Sequence, residues 1–203
     1  LLVSGGHSVI CRVDGIDEVQ VMGASIDDAV GEAFDKVSKH YGFGYPGGLV
    51  IDQLAEKGDS TVFRFPLPNL YKGDHRYDVS YSGLKNAVCN HLEKYRAGPG
   101  PASPENIAAG FRKTAIDILL RALMRAVEDS GIRRVVAGGG VAANSLLRRE
   151  LAARKDLDVV FPPLDLCGDN GAMIAALGYH YLARGESSPL DEPVSARVAR
   201  FRR

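Results

Sequence analysis

Three consecutive glycines, Gly138, Gly139 and Gly140, mark the stretch of this sequence where residue types and spacing could do chemistry. They follow a β-branched pair that begins at Val135, and they precede Asn144 and an amphipathic run. This order predicts a strand, a glycine turn and a helix. Glycine lets the backbone approach a ligand closely, and free N–H groups at a helix start attract anions. The pattern therefore favours a nucleotide site, but it equally fits a tight turn without a ligand, because it matches neither the dinucleotide fingerprint nor the Walker loop.

A second glycine turn lies near the start of the sequence. Residues 1–3 predict a short strand that ends at Ser4, Gly5 and Gly6, and Ser8–Val13 predicts the next strand. Backbone N–H groups in such a turn can hold a phosphate, although a plain β-turn has the same residues. We expect both glycine turns to lie at strand ends that face one crevice, which is where α/β folds bind ligands.

Acidic side chains lie on or beside the expected helices. Ser25 and Asp28 have the spacing of a capping box, which predicts a helix that ends with a glycine cap at Gly42. Asp35 falls on this helix beside its apolar stripe. Asp169 opens the last long helix, where a carboxylate interacts favourably with the helix dipole. From the residues alone, most acids placed like Asp35 are simply solvated, whereas Asp169 fits a capping group and a ligand contact equally well.

The composition is that of an ordinary globular protein. Of 203 residues, 45% are hydrophobic and 25% charged, and the formal net charge is zero, so a nucleic-acid partner would need a local basic patch. No apolar run reaches the roughly 18 residues of a membrane span, and no signal-peptide pattern opens the sequence. The three cysteines are far apart, which indicates a reducing compartment. We expect a cytoplasmic protein without membrane association.

The elements that must position these residues alternate along the sequence. A hairpin, a helix, a helical insert and then alternating helices and strands predict an α/β fold, in which helices flank a mixed sheet. A strand is also predicted at residues 61–65. We divide the chain into the start of the main lobe (1–42), a mostly helical insert (43–103), the rest of the lobe (104–184) and a loose tail (185–203). Because the sequence opens inside a strand-like run, we expect an N-terminal lobe to be absent or incomplete.

Six motifs occur in order along the sequence. They are LVSGGH (2–7), SIDDAVGEAFDKV (25–37), YPGG (45–48), SYSGLKNAV (80–88), GGVAANSLLR (139–148) and CGDNGAMIA (167–175). Together they resemble the tRNA threonylcarbamoyladenosine transferase family, TsaD, and the EAFDK and SGLK wording is similar to its bacterial or mitochondrial branch. The resemblance spans the chain from its start to about residue 184.

The resemblance implies an actin-like ATPase fold, of the ribonuclease H-like type, and an acyl transfer to tRNA. Members of the family move a threonylcarbamoyl group from threonylcarbamoyl-adenylate to N6 of the adenosine 3′ to the anticodon. That amine is a weak nucleophile, so the acyl donor is activated as a mixed anhydride with AMP, and a metal can stabilise the charge on the carbonyl. The implied cofactor is one divalent metal, iron or zinc. The implied partners are tRNA, an adenine nucleotide or the adenylate, a paralogous actin-like subunit and a small P-loop ATPase.

The resemblance also assigns site residues, motif by motif. Asp35 is expected to bind a ribose hydroxyl, Asn144 to contact the ligand from the opposite wall, and Asp169 to be the single carboxylate ligand of the metal. No residue is assigned as a catalytic base. The expected nucleotide or substrate contacts are Leu2, Val3, Ser4, Gly5, Gly6, Asp35, Gly48, Asp52 and Asn144.

One departure from the family concerns the metal. The family's other ligands are a His-x-x-x-His pair, and no two histidines here are four residues apart; they are His7, His40, His75, His91 and His180. One carboxylate does not hold iron or zinc tightly. We therefore expect the chain by itself to be inactive and to carry little or no metal.

Three other functions remain open at this point. They are a sugar kinase or another ATPase of the same fold, a non-catalytic scaffold subunit and, lowest in rank because H-E-x-x-H is absent, a metallopeptidase. For contact with tRNA, the candidates are basic residues in the insert and in the second half of the chain, namely Lys72, His75, Arg76, Lys85, Arg133, Arg134, Arg148 and Arg149.

Overall fold

The strands form two small sheets. The computed structural model describes residues 1–70, 73–91 and 102–193. The antiparallel sheet has the order β1 (Leu2–Val3), β2 (Ser8–Val13) and β3 (Val19–Ala24), and the other sheet pairs β4 (Arg134–Val136) and β5 (Asp158–Val160) in parallel. The mixed α/β class predicted from the sequence is thereby confirmed.

Main-chain hydrogen bonds join the two sheets. The Val3 N–H donates to the Gly138 oxygen at 2.9 Å, and the Gly138 N–H donates to the Leu1 oxygen, also at 2.9 Å. This isolated bridge between Leu2 and Gly138 is parallel, so β1 lies beside the end of β4. Both predicted glycine turns are consequently at one place in the fold.

Six helices pack around these strands in the described ranges. Three short 3₁₀ turns, Gly73–His75, Gly140–Ala143 and Leu164–Leu166, accompany them. None of the helices is long and apolar enough to cross a membrane. The helices are α1 (Val30–Tyr41), α2 (Gly47–Ala55), α3 (Ser82–Cys89), α4 (Pro104–Ser130), α5 (Ser145–Ala152) and α6 (Gly171–Ala183).

Helix α4 lies at the centre of the hydrophobic core. Its N-cap and C-cap match the sequence pattern, since the Ser103 hydroxyl accepts from the Asn106 N–H and Gly131 ends the helix with φ 71°. The ring of Phe111 meets that of Phe34 from α1 edge to face, with centroids 5.0 Å apart. Helices α1 and α2 both take part in this core, and α2 packs against α4.

The capping box expected at Ser25 and Asp28 is wrong. Helix α1 begins at Val30, and its first N–H group donates to the hydroxyl of Ser8 on β2 at 2.8 Å. The Ser25 N–H donates to the Ser8 oxygen, so the chain here still extends the sheet. Pairing with β2 overrides the local capping signal, and the cap is supplied from another element.

The strand expected at residues 61–65 is also wrong. Its aromatic side chains pack onto helices instead of a sheet edge, with Phe65 buried in the core and the ring of Phe63 stacked on Phe65 at 6.2 Å. The main chain at Phe63 approaches α4 so closely that a Cβ on Gly110 would lie 2.6 Å from its oxygen. The β-propensity of this stretch does not decide its structure, because its aromatic side chains are packed against α4 and the core. Of the predicted linker and tail, residues 98–101 and 194–203 lie outside the described residues.

Candidate nucleotide site

The two glycine turns contact each other through their backbones. Gly139 has φ 91°, a conformation that favours glycine, and a Cβ there would lie 2.3 Å from the Val3 oxygen. The glycine-rich sequence at this position is therefore required by a close approach of β1 to the turn after β4.

The first turn is held against the start of α1. The Ser4 hydroxyl accepts from the N–H groups of Gly6 and His7, at 3.3 and 3.0 Å. The Ser4 carbonyl accepts from the Gly31 N–H at 3.2 Å, and a Cβ on Gly31 would lie 2.5 Å from that oxygen. Among the described residues, nothing accepts a hydrogen bond from the Gly5 N–H, which leaves one backbone donor of this turn available to a ligand.

A cavity of about 280 Å³ lies between this turn, α1, α2 and the 3₁₀ turn Gly140–Ala143. A Cβ built on Gly5, Gly48 or Gly140 would meet open space, so these glycines leave room beside the backbone. The lining residues are Gly5, Gly31, Phe34, Asp35, Pro46, Gly48, Leu49, Asp52, Gly140, Val141, Ala143 and Asn144.

Five of the nine contacts expected from the resemblance line this cavity, namely Gly5, Asp35, Gly48, Asp52 and Asn144. The other four, Leu2, Val3, Ser4 and Gly6, do not. Val3 is fully buried in the core, and Ser4 shapes the turn through its own hydrogen bonds. The structure thus brings together residues that are more than a hundred positions apart in the sequence.

Asp35 offers one free carboxylate oxygen to the cavity. Its Oδ1 accepts from the Gly47 N–H at 2.8 Å, which ties α1 to the start of α2. A Cβ on Gly47 would lie 2.6 Å from the Asp35 Cα, so the two helices touch here. Within the described part of the chain, Oδ2 accepts no hydrogen bond, and a half-buried carboxylate oxygen in this position can accept from a ligand hydroxyl.

Asp52 differs from Asp35, because both of its carboxylate oxygens accept hydrogen bonds from other groups of the protein. Oδ1 accepts from the Arg112 Nη1 at 2.8 Å and from the Asn144 Nδ2 at 2.9 Å, and Oδ2 accepts from the Ser145 N–H at 2.9 Å. The Asn144 Oδ1 in turn caps α5 by accepting from the Leu147 N–H at 3.1 Å. Asp52 therefore holds the wall that carries Asn144 in place.

Arg112, Glu56 and Ser145 complete this network, and sequence reasoning missed all three. The Arg112 side chain is only 6% exposed, and Nη1 also contacts the carboxylate of Glu56 at 2.6 Å. Hydrogen bonds from Arg112 and Arg149 lower the pKa of Glu56 to about 2. An arginine placed directly after Phe111 in the buried stripe of a long helix was the available signal, because buried charges require partners.

Asp169 lies apart from the cavity lining. It is exposed, between the 3₁₀ turn Leu164–Leu166 and α6, and the neighbouring Asn170 caps α6 by accepting from the Met173 N–H at 3.1 Å. In the described ranges, no three His, Cys, Asp or Glu side chains are grouped closely enough to hold a metal ion. One exposed carboxylate does not make an iron or zinc site, so the residues present do not fit the metal by themselves.

The basic residues expected to contact tRNA are occupied within the protein. Lys72 lies outside the described residues, and each of the other seven contacts an acceptor, which is a carboxylate for all of them except Arg148. The pairs are His75 with Asp78, Arg76 with Asp129, Lys85 with Asp28, Arg133 with Asp156, Arg134 with Asp158, Arg149 with Glu56, and Arg148 with the main-chain oxygens of Ala142 and Pro162.

The geometry defines an α/β protein with a ligand-sized cavity that both glycine turns line, through Gly5 and Gly140. Residues 1–176 match the family model of TsaD, described as tRNA N6-adenosine threonylcarbamoyltransferase. The chain belongs to this family.

Curated relatives with that name cover the whole chain. A protein of Treponema denticola is 56% identical over 201 residues, 99% of this chain and 60% of its own length. One of Treponema pallidum is 53% identical over 201 residues, 99% of this chain and 57% of its own. One of Borrelia garinii is 45% identical over 203 residues, 100% and 60%. The chain therefore spans about three fifths of the length of these relatives.

Proposed function

We propose that this chain supplies the nucleotide-binding wall of a tRNA threonylcarbamoyl transferase, which acylates N6 of the adenosine 3′ to the anticodon from threonylcarbamoyl-adenylate. The observation that carries the proposal is the cavity itself, where three separated family motifs meet through Gly5, Gly48 and Asn144. The names of the relatives support transfer to tRNA adenosine, and the TsaD match supports the actin-like ATPase fold.

The protein's own groups account for binding and orientation of the adenylate. The free Oδ2 of Asp35 accepts a hydrogen bond from a ribose hydroxyl. In the facing turn, the Gly5 N–H donates a hydrogen bond to an anionic phosphate oxygen. The Arg112–Asp52–Asn144 contacts keep the second wall at a fixed distance. Holding the mixed anhydride in one orientation converts its attack by a weak amine into an effectively intramolecular event.

The proposed reaction also requires a metal and partner proteins, which this chain does not supply by itself. A bound iron or zinc would supply Lewis-acid stabilisation, and ligands beyond Asp169 would have to come from elsewhere. An actin-like paralogue and a small P-loop ATPase are the expected partners, and the cytoplasm is the expected location. The scaffold and peptidase alternatives gain no support from the cavity. A kinase or ATPase of the same fold would also need such a cavity, and the names of the relatives favour the transferase.

A ribose-specific binding experiment tests the role of Asp35. Asp35→Asn keeps an oxygen for the Gly47 N–H and replaces the other with an amide. We expect the unaltered chain to bind ATP about tenfold more tightly than 2′,3′-dideoxy-ATP in calorimetry, and Asp35→Asn to lose this preference. Asp165→Asn, an exposed acid on the turn before α6, is the matched control. Equal affinity of the unaltered chain for both nucleotides would contradict the proposal.

A further inference from the structure

A second hollow adjoins the proposed nucleotide cavity. It encloses about 540 Å³ and shares Asp35 with the first cavity. Its lining comes from the last turns of α1 and the loop to α2, and consists of Asp35, Lys36, Lys39, Gly42, Gly44 and Tyr45. A group that enters this hollow therefore lies next to Asp35, which also lines the first cavity.

The loop holds an aromatic ring in solvent beside this hollow. Tyr41 and Phe43 stack on each other at 5.2 Å and face the protein, whereas Tyr45 is 82% exposed. The loop is fixed on both sides, since the Ser38 hydroxyl donates to the Gly44 oxygen at 2.6 Å and Gly47 is bonded to Asp35. An exposed ring on a fixed backbone loses little conformational freedom when a flat ligand stacks on it.

A free cation, Lys39, lines the same hollow as that ring. Lys36 is paired with Asp28 and Glu32, but Lys39 makes no hydrogen bond or ion pair with any described residue. This contrasts with the seven described basic residues considered earlier, which all have acceptors. An aromatic ring and an uncompensated ammonium group that line one hollow match an unpaired nucleotide, whose base stacks and whose phosphate is anionic.

We infer that Tyr45 and Lys39 form a subsite for an unpaired RNA nucleotide. This subsite guides the RNA strand that carries the target adenosine toward the cavity at Asp35. The inference rests on the proposed function for the identity of the RNA. Tyr45 supplies the stacking surface, and Lys39 supplies charge for one backbone phosphate. Neither residue belongs to the nucleotide cavity, so the subsite is separable from adenylate binding.

The test measures RNA and nucleotide binding separately on the 203-residue chain. A fluorescent anticodon stem–loop RNA reports on the subsite by anisotropy, and a fluorescent ATP analogue reports on the cavity. We expect Tyr45→Ala to weaken RNA binding roughly 5- to 100-fold and Tyr45→Phe to keep it, because the ring provides the stacking. Lys39→Ala should reduce the slope of log affinity against log salt by about 0.7. ATP binding should change less than about twofold in all three variants.

Matched controls and contrary outcomes keep the two proposals distinct. Tyr179→Ala removes another exposed tyrosine and Lys155→Ala another exposed lysine, and both should leave RNA binding unchanged. Unaltered RNA affinity in Tyr45→Ala, or an equal loss in Tyr45→Phe, would overturn the inference. A chain that binds ATP but no RNA would overturn it too while leaving the cavity assignment in place, and a chain that binds neither would overturn both.

Discussion

Helices α4 and α6 are both rich in apolar residues, yet the protein uses them differently. Sixteen of the 27 residues of α4 are buried, whereas none of the 13 residues of α6 is buried by the described part of the chain. Large side chains such as Ile174 and Leu182 are 64% and 68% exposed. Apolar composition therefore does not identify which helix forms the core; contact with α1 and α2 does.

A truncation in each helix should produce the largest contrast. Phe111→Ala removes a fully buried ring that contacts Phe34, and we expect a loss of about 3–5 kcal/mol in the free energy of unfolding. Leu182→Ala on α6 should cost less than about 0.5 kcal/mol, because the side chain is already in solvent. Urea denaturation monitored by circular dichroism measures both. Similar losses in the two variants would remove the distinction between the helices.

Glycine replacements should change stability in opposite directions in the turn after β4 and in α6. Gly139→Ala would place a methyl group against the Val3 oxygen at a positive φ, and we expect a loss of about 1–3 kcal/mol. Gly178→Ala lies inside α6 with open space around the new Cβ, so it should stabilise the chain by about 0.5–1 kcal/mol. Thermal melts compare the two variants, and a stabilising Gly139→Ala would disprove the close approach.

The smallest expected effect concerns pH. Because the folded-state pKa of Glu56 is lowered from 4.5 to about 2, its contribution to stability is present above pH 4.5 and is lost as the pH falls toward 2. Glu56 is partly exposed, so we expect only about 0.5–1 kcal/mol. Glu56→Gln should flatten the loss of stability over this range. An acid profile that Glu56→Gln leaves unaltered would contradict the prediction.

Local signals in the sequence predicted the features that depend on neighbouring residues. Ser103, Pro104 and Gly131 specified the ends of α4, and the order of β4, the glycine turn and α5 was also correct. The capping box at Ser25 failed because Ser8, from another strand, supplies the cap. The strand predicted at residues 61–65 failed for the same kind of reason, since Phe63 packs against Gly110, which is distant in the sequence.

In the candidate site, too, local features could be predicted from the sequence and long-range contacts could not. Glycines and Asp35 could be proposed from motifs, because each motif is short and contiguous. The contact of Arg112 with Asp52 could not be proposed, because the two residues are sixty positions apart and the sequence around one contains no signal that points to the other. The exposure of Asp169 likewise depends on where α6 lies. Both depend on long-range packing, which periodicity does not encode.

The backbone bridge between Val3 and Gly138 has a consequence for how this family can diversify. The bridge joins main-chain atoms, which are the same for every amino acid. A substitution at Leu1 or Val3 changes the side chain but keeps the carbonyl and N–H groups that connect β1 with the turn after β4. Ligand contacts such as Asp35 can therefore change while this junction keeps its geometry.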